Sequence, residues 1–164
     1  MALTQVEALW FLPLVLPICF WAAWSDLKYM KIRNKSVVAL FGIFAVIGLL
    51  ALPLDVYLWR LVQGAVVLVL GILANMLRLL GAGDAKFAAG MALFVPAADA
   101  PAFFILLSVV MIAALVTHRL FRAIPAVRSQ TADWVSWQSR KFPMGLALGG
   151  GLGIFLALGT VQGA

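Results

Sequence analysis

The feature that most constrains this chain is a succession of apolar runs, several of them close to the length of a bilayer crossing. A helix that crosses the hydrocarbon core takes roughly 20 predominantly apolar residues. Six runs emerge: about Ala8 to Ser25, Ser36 to Leu52, Val56 to Leu80, a short one from Lys86 to Val95 closed by Pro96, Ala102 to Leu120, and Pro143 to Val161. The hydrophobic fraction is 65% and the charged fraction 11%, against about 25% charged in a soluble domain. A small globule exposes too much surface to hide that many apolar side chains. The expected fold is therefore all-α, a polytopic membrane protein with six transmembrane helices, in one membrane-embedded domain covering residues 1–164. The fourth run is short for a crossing. It is expected to reach back through Asp84, with its first turn among neighbours or facing water, where polar backbone is tolerated. The first run has no basic segment before it, carries Glu7 instead, and has no small-residue cleavage site after it, so it reads as a retained helix.

Charge gives the topology. There are 12 Lys and Arg against 6 Asp and Glu. In a membrane protein this excess reads as topological rather than as a nucleic-acid footprint, because basic residues hold loops on the cytoplasmic face. Lys28, Lys31, Arg33 and Lys35 fill the first connection, and Arg78 and Lys86 flank the third. Arg119, Arg122, Arg128, Arg140 and Lys141 fill or flank the fifth. Glu7, Asp55, Asp99 and Arg60 fall on the other side. With six spans, 11 of the 12 basic residues share one face. Both termini are then expected outside the cytoplasm. The connection from Phe121 to Phe142 holds Trp134 and Trp137 among polar residues, a pattern for an interfacial segment. Gly145, Gly149 and Gly153 recur every four residues, which favours close helix packing. No internal repeat of the transporter kind is visible.

The chemistry-bearing residues are few. The single cysteine, Cys19, rules out an internal disulfide and a cysteine-rich zinc site, and it reads as a packed residue of the first helix. His118, after the fifth run, reads as interfacial. Neither has ligand partners at suitable spacing, so neither a metal nor a cofactor is expected. Ionisable residues in or beside membrane spans are costly and default to functional candidates. Two acids stand out: Asp26 closes the first run, and Asp84 follows Gly81-Ala82-Gly83 and opens the fourth. Taken singly, each has an ordinary explanation as a helix cap or a surface ion-pair member, and Asp55, Asp99 and Asp133 are given only that. Taken together, both fall at the same predicted face. Two carboxyls sharing one site hold a proton between them. One then removes a proton from water while the other polarises the scissile carbonyl. Gly81 and Gly83 are expected to let the backbone turn tightly and come close to a peptide.

These residues resemble the type IV prepilin peptidases, the GxGD membrane aspartyl proteases. Gly81-Ala82-Gly83-Asp84-Ala85-Lys86 matches that signature with its following lysine. Ser25-Asp26-Leu27-Lys28, continuing to Ile32-Arg33-Asn34, is similar to the family's first aspartate motif, and Phe142-Pro143-Met144-Gly145 to the Pro-x-Gly that opens its last helix. Arg33 stands where the family usually has proline, which predicts a less rigid loop. The resemblance implies an aspartyl endopeptidase that removes basic leader peptides from prepilins at the cytoplasmic membrane face. Asp26 and Asp84 are then the catalytic acids, Gly81 and Gly83 shape the loop, and Lys86 flanks the site. The short form resembles the peptidases of tight-adherence (Flp-type) pilus systems. It implies no methylation of the new N-terminus, an activity tied in longer members to a Cys-rich segment. The implied partners are the prepilin, with its hydrophobic helix, and the lipid bilayer. Two other readings stay open. A small transporter or channel would place its acids near the bilayer midplane. A non-catalytic assembly subunit would use them only to set topology.

Overall fold

A computed structural model describes residues 1–139 and 141–163. Arg140, counted above with the basic residues of the fifth connection, lies outside the described residues. The fold is all-α: α1 (Gln5–Tyr29), α2 (Asn34–Ala51), α3 (Leu54–Met76), α4 (Ala82–Ala92), α5 (Ala100–Ala123), α6 (Pro125–Gln130) and α7 (Met144–Gln162), with single 3₁₀ turns at Ala97–Asp99 and Val135–Trp137. Five helical segments, α1, α2, α3, α5 with its preceding turn, and α7, are long and apolar enough to cross a membrane. The protein is thus a polytopic membrane α-bundle. Most of α5 faces outward, with Phe104, Ile105, Val109, Ile112, Val116 and Leu120 exposed. Such a surface is stable only in lipid.

Two expected spans change. The third stops at Met76 rather than Leu80. Arg78 takes a left-handed backbone (φ 59°), and Leu79 N–H reaches Ala74 O at 3.0 Å while Arg78 N–H reaches Asn75 O at 2.9 Å. This is a Schellman stop, which satisfies the last carbonyls of the helix. The fourth begins at Ala82, four residues earlier than Lys86, and has only 11 residues, about 16 Å of helix. It does not cross. Its carbonyl end is closed inside the bundle by α3: Gln63 Nε2 donates to Ala92 O (3.1 Å) and Val95 O (2.9 Å), and Arg60 Nη1 donates to Leu93 O (3.3 Å). Arg60, only 4% exposed, is in turn paired with Glu7 at 3.4 Å. Buried carbonyls need partners, and these two side chains supply them at the point where the helix ends.

The core lies between α1, α2, α4 and α7. Phe44 stacks on Tyr57, and Phe94 meets both Phe11 and Phe44 edge-on. α7 lies against α1 along its glycine stripe. A Cβ at Gly149 would stand 2.6 Å from the Cys19 carbonyl oxygen, and one at Gly153 would stand 3.1 Å from Leu16. Cys19 is buried, as expected.

The two ends of the bundle differ. At one, Asp99 accepts from Ala2 N–H and Leu3 N–H, both at 2.8 Å, and Gln5 bonds Thr160 O at 2.9 Å. The other gathers the exposed Lys31, Arg33, Lys35, Arg78, Lys86, Arg119, Arg122 and Arg128. The connection after α5 folds over that basic end as a compact cap. Lys28 pairs with Asp133 at 2.7 Å, Trp134 stacks on Trp137, and Trp137 donates to Thr131. His118, near the cap end of α5, is covered by protein. Trp137 stacks on its ring at 4.9 Å, and the residue is buried.

Candidate active site

The last turn of α1 and the first turn of α4 both lie at the basic end, and each carries one of the two acids. Asp26 is 5% exposed. Its Oδ2 accepts the Gly145 N–H at 2.7 Å. Gly145 lies in the first turn of α7, where backbone N–H groups lack helical partners and carry the positive end of the helix dipole. A carboxylate there is well placed as an anion. Only glycine permits this docking, since a Cβ at residue 145 would stand 2.8 Å from Asp26 Cβ and 3.2 Å from Ala22 O. The Pro143-Met144-Gly145 motif thus delivers an N–H to Asp26. That role for Gly145 goes beyond the helix packing that its four-residue spacing signals.

Asp84 lies in the first turn of α4, outside the five membrane-length helices, and is half-buried. Burial, and after it the negative charge of Asp26, push its carboxyl up to about 6, partly offset by the Gly81 backbone N–H. The two acids are therefore close enough to feel each other's charge, although they are far apart in sequence. Their chemistry is that of a pair that holds one proton more readily than either acid would alone.

The glycines of the signature act through space, not torsion. Among the described residues no glycine has positive φ, and Gly81 is extended (φ −69°, ψ 145°). A Cβ at Gly81 would stand 2.5 Å from Asp84 Oδ2, so glycine leaves the carboxylate its place. The side of Gly83 that a Cβ would occupy is bounded by Ile32, whose Cβ and carbonyl oxygen lie 3.4 and 3.5 Å from that position. Asn75 Nδ2 holds the turn before Gly81 by bonding Leu80 O at 2.8 Å. Lys86 points outward and is exposed. Among the described residues no group of three or more His, Cys, Asp or Glu side chains is arranged to hold a metal ion.

A family model described as the type IV leader peptidase family matches residues 13–117. No curated protein and no solved structure matches the chain. The matched span contains both acids and the glycine turn between α3 and α4, and ends before α7 supplies Gly145.

Proposed function

This chain belongs to the type IV leader peptidase family, and on that premise we propose that it is an aspartyl endopeptidase working through Asp26 and Asp84. The observation that carries the reading is the placement of Asp26 and Asp84 at one end of the bundle, with Ile32 of the turn after α1 seated against Gly83 beside Asp84. Asp26, with the Gly145 N–H on its carboxylate, is the ionised member; Asp84 holds the proton. Asp26 takes a proton from water as the water oxygen bonds to the scissile carbonyl carbon. Asp84 gives its proton to the carbonyl oxygen, forming a neutral gem-diol. Collapse of the gem-diol returns its hydroxyl proton to Asp84. The proton on Asp26 passes to the departing nitrogen as the C–N bond breaks, and both acids regain their starting states. General acid and base steps of this kind are each worth roughly 10²–10⁴ in rate.

The substrate in this reading is a prepilin of the Flp-like class. Its apolar helix sits in the bilayer beside the spans, and its leader reaches the acids from the cytoplasm. The basic end of the bundle faces the cytoplasm of a bacterial inner membrane, as the distribution of Lys and Arg predicts. The activity proposed is leader removal alone, without methylation of the new N-terminus. Anionic headgroups draw in both the basic leader and the basic face. The test is incubation of membranes holding this chain with a prepilin, followed by mass analysis of the product. A shortened pilin with a single new N-terminus supports the peptidase. An intact precursor, with pilus assembly still dependent on the chain, supports an assembly subunit instead.

A further inference from the structure

The two acids sit on different helices, α1 and α4, and the turn that leads from α1 to α2 packs against the start of α4 at the level of the acids. α1 ends at Met30, which takes a left-handed backbone (φ 51°) and donates its N–H to the Asp26 carbonyl at 2.8 Å. The chain turns back through Lys31, Ile32 and Arg33 before α2 begins. Two buried serines, each 1% exposed, hold this turn from both sides. Ser25 Oγ donates to Lys31 O at 2.9 Å, and Ser36 Oγ donates to Arg33 O at 2.7 Å. Between the two pinned carbonyls lies Ile32, 4% exposed, seated against Gly83. Ser25 is bonded to Asp26 in sequence, and Gly83 to Asp84. Arg33, the residue at the turn's exit, has φ −75°, a value that a proline ring would impose.

We infer that Ser25 and Ser36 are positioning residues, which clamp Ile32 onto Gly83 and so set the register of Asp84 against Asp26. The inference rests on reading the two acids as the catalytic pair. Loss of the Ser25 hydroxyl takes from the part-buried Lys31 carbonyl its side-chain partner, while the Arg33 carbonyl, which also accepts the Ser36 N–H at 3.0 Å, keeps a weaker hold on the turn. A turn that loosens lets Gly83, and with it Asp84, drift from Asp26. A misplacement of about 1 Å costs up to about 100-fold in rate.

The clamp is tested by cross-linking and kinetics in one variant set, made in a Cys19→Ala background. Ile32→Cys with Gly83→Cys places two Cβ atoms at a separation suited to a disulfide. Mild oxidation is expected to join them quickly when both serines are present, and more slowly in Ser25→Ala with Ser36→Ala. In proteins that keep Ile32 and Gly83, Ser25→Ala is expected to lower kcat by about 10- to 100-fold with KM unchanged, and Ser25→Thr to restore most of it. Should Ser25→Ala fail to fold, Ser25→Thr against Ser25→Val makes the same comparison of hydroxyl with methyl. Equal cross-linking rates with and without the hydroxyls overturn the clamp. So does a loss confined to KM, or one that Thr does not restore. Absence of cleavage in every variant, the unsubstituted protein included, counts against the peptidase reading, while the cross-linking rate still decides the clamp.

Discussion

At the scale of single residues, the site depends on small atoms in the right places. Gly145→Ala is expected to push the start of α7 off Asp26, because its Cβ meets Asp26 Cβ and the Ala22 carbonyl. Leader cleavage should fall by about 10-fold or more, in keeping with the sensitivity of catalysis to sub-ångström placement; unchanged activity would mean that α7 does not orient Asp26. Asp84 offers a direct electrostatic check. Its carboxyl is expected to titrate near 6, and in Asp26→Asn to titrate lower, because the charge that raised it is gone while the burial remains. Infrared difference titration reads both, and a midpoint that does not fall in the variant contradicts the pairing. The sign for stability follows. A carboxyl whose folded value stands above its ordinary 3.8 takes up a proton on folding. Its contribution is full below about pH 4 and is lost as pH rises through 6. Both acids were legible in the sequence because charges next to apolar runs are costly and rare. Ser25 and Ser36 were not, since serines near helix ends are commonplace and their partners appear only when the turn closes.

At the scale of elements, α4 is the instructive case. α1, α2, α5 and α7 are readable from apolar length alone, because a bilayer demands that length. The end of α4 is set instead by Arg60 and Gln63, polar side chains on a different helix. Such long-range capping leaves no periodic trace in the sequence. Arg60, the one basic residue on the sparsely charged side, looks like a stray from the charge pattern until the structure places it against Glu7 and Leu93 O. Arg60→Ala should be severely destabilising, by roughly 3–5 kcal/mol, because it strands a largely enclosed Glu7 side chain, 12% exposed, and an uncapped carbonyl. Arg60→Met combined with Glu7→Leu should recover much of that loss, as apolar replacements of a buried pair often do. Thermal unfolding in detergent measures both. A double variant no more stable than Arg60→Ala would place the loss in the uncapped Leu93 carbonyl rather than in the stranded Glu7. The connection before α7 folds as a cap over the bundle, held by the Trp134–Trp137 stack and by Trp137 lying on the buried His118, contacts that its Trp content alone does not specify.

At the scale of the whole molecule, charge and fold agree. The bundle gathers the basic loops at one end, the same end that brings Asp26 and Asp84 together. Placing that end in the cytoplasm predicts that Lys35→Cys is labelled only from the cytoplasmic side and Asp55→Cys only from the other. Both positions are exposed, and the native Cys19 is buried out of reach. Labelling of both from one face would overturn the arrangement of spans. The central claim is that two carboxyls from distant helices form a single hydrolytic site. It is tested most directly by the rate at which Asp26→Asn and Asp84→Asn, each shown to be folded in membranes, remove the leader from a prepilin. The account predicts that each variant alone loses on the order of 10²–10⁴-fold in kcat and that the double variant is hardly worse than either. Near-normal leader removal by either single variant would contradict it.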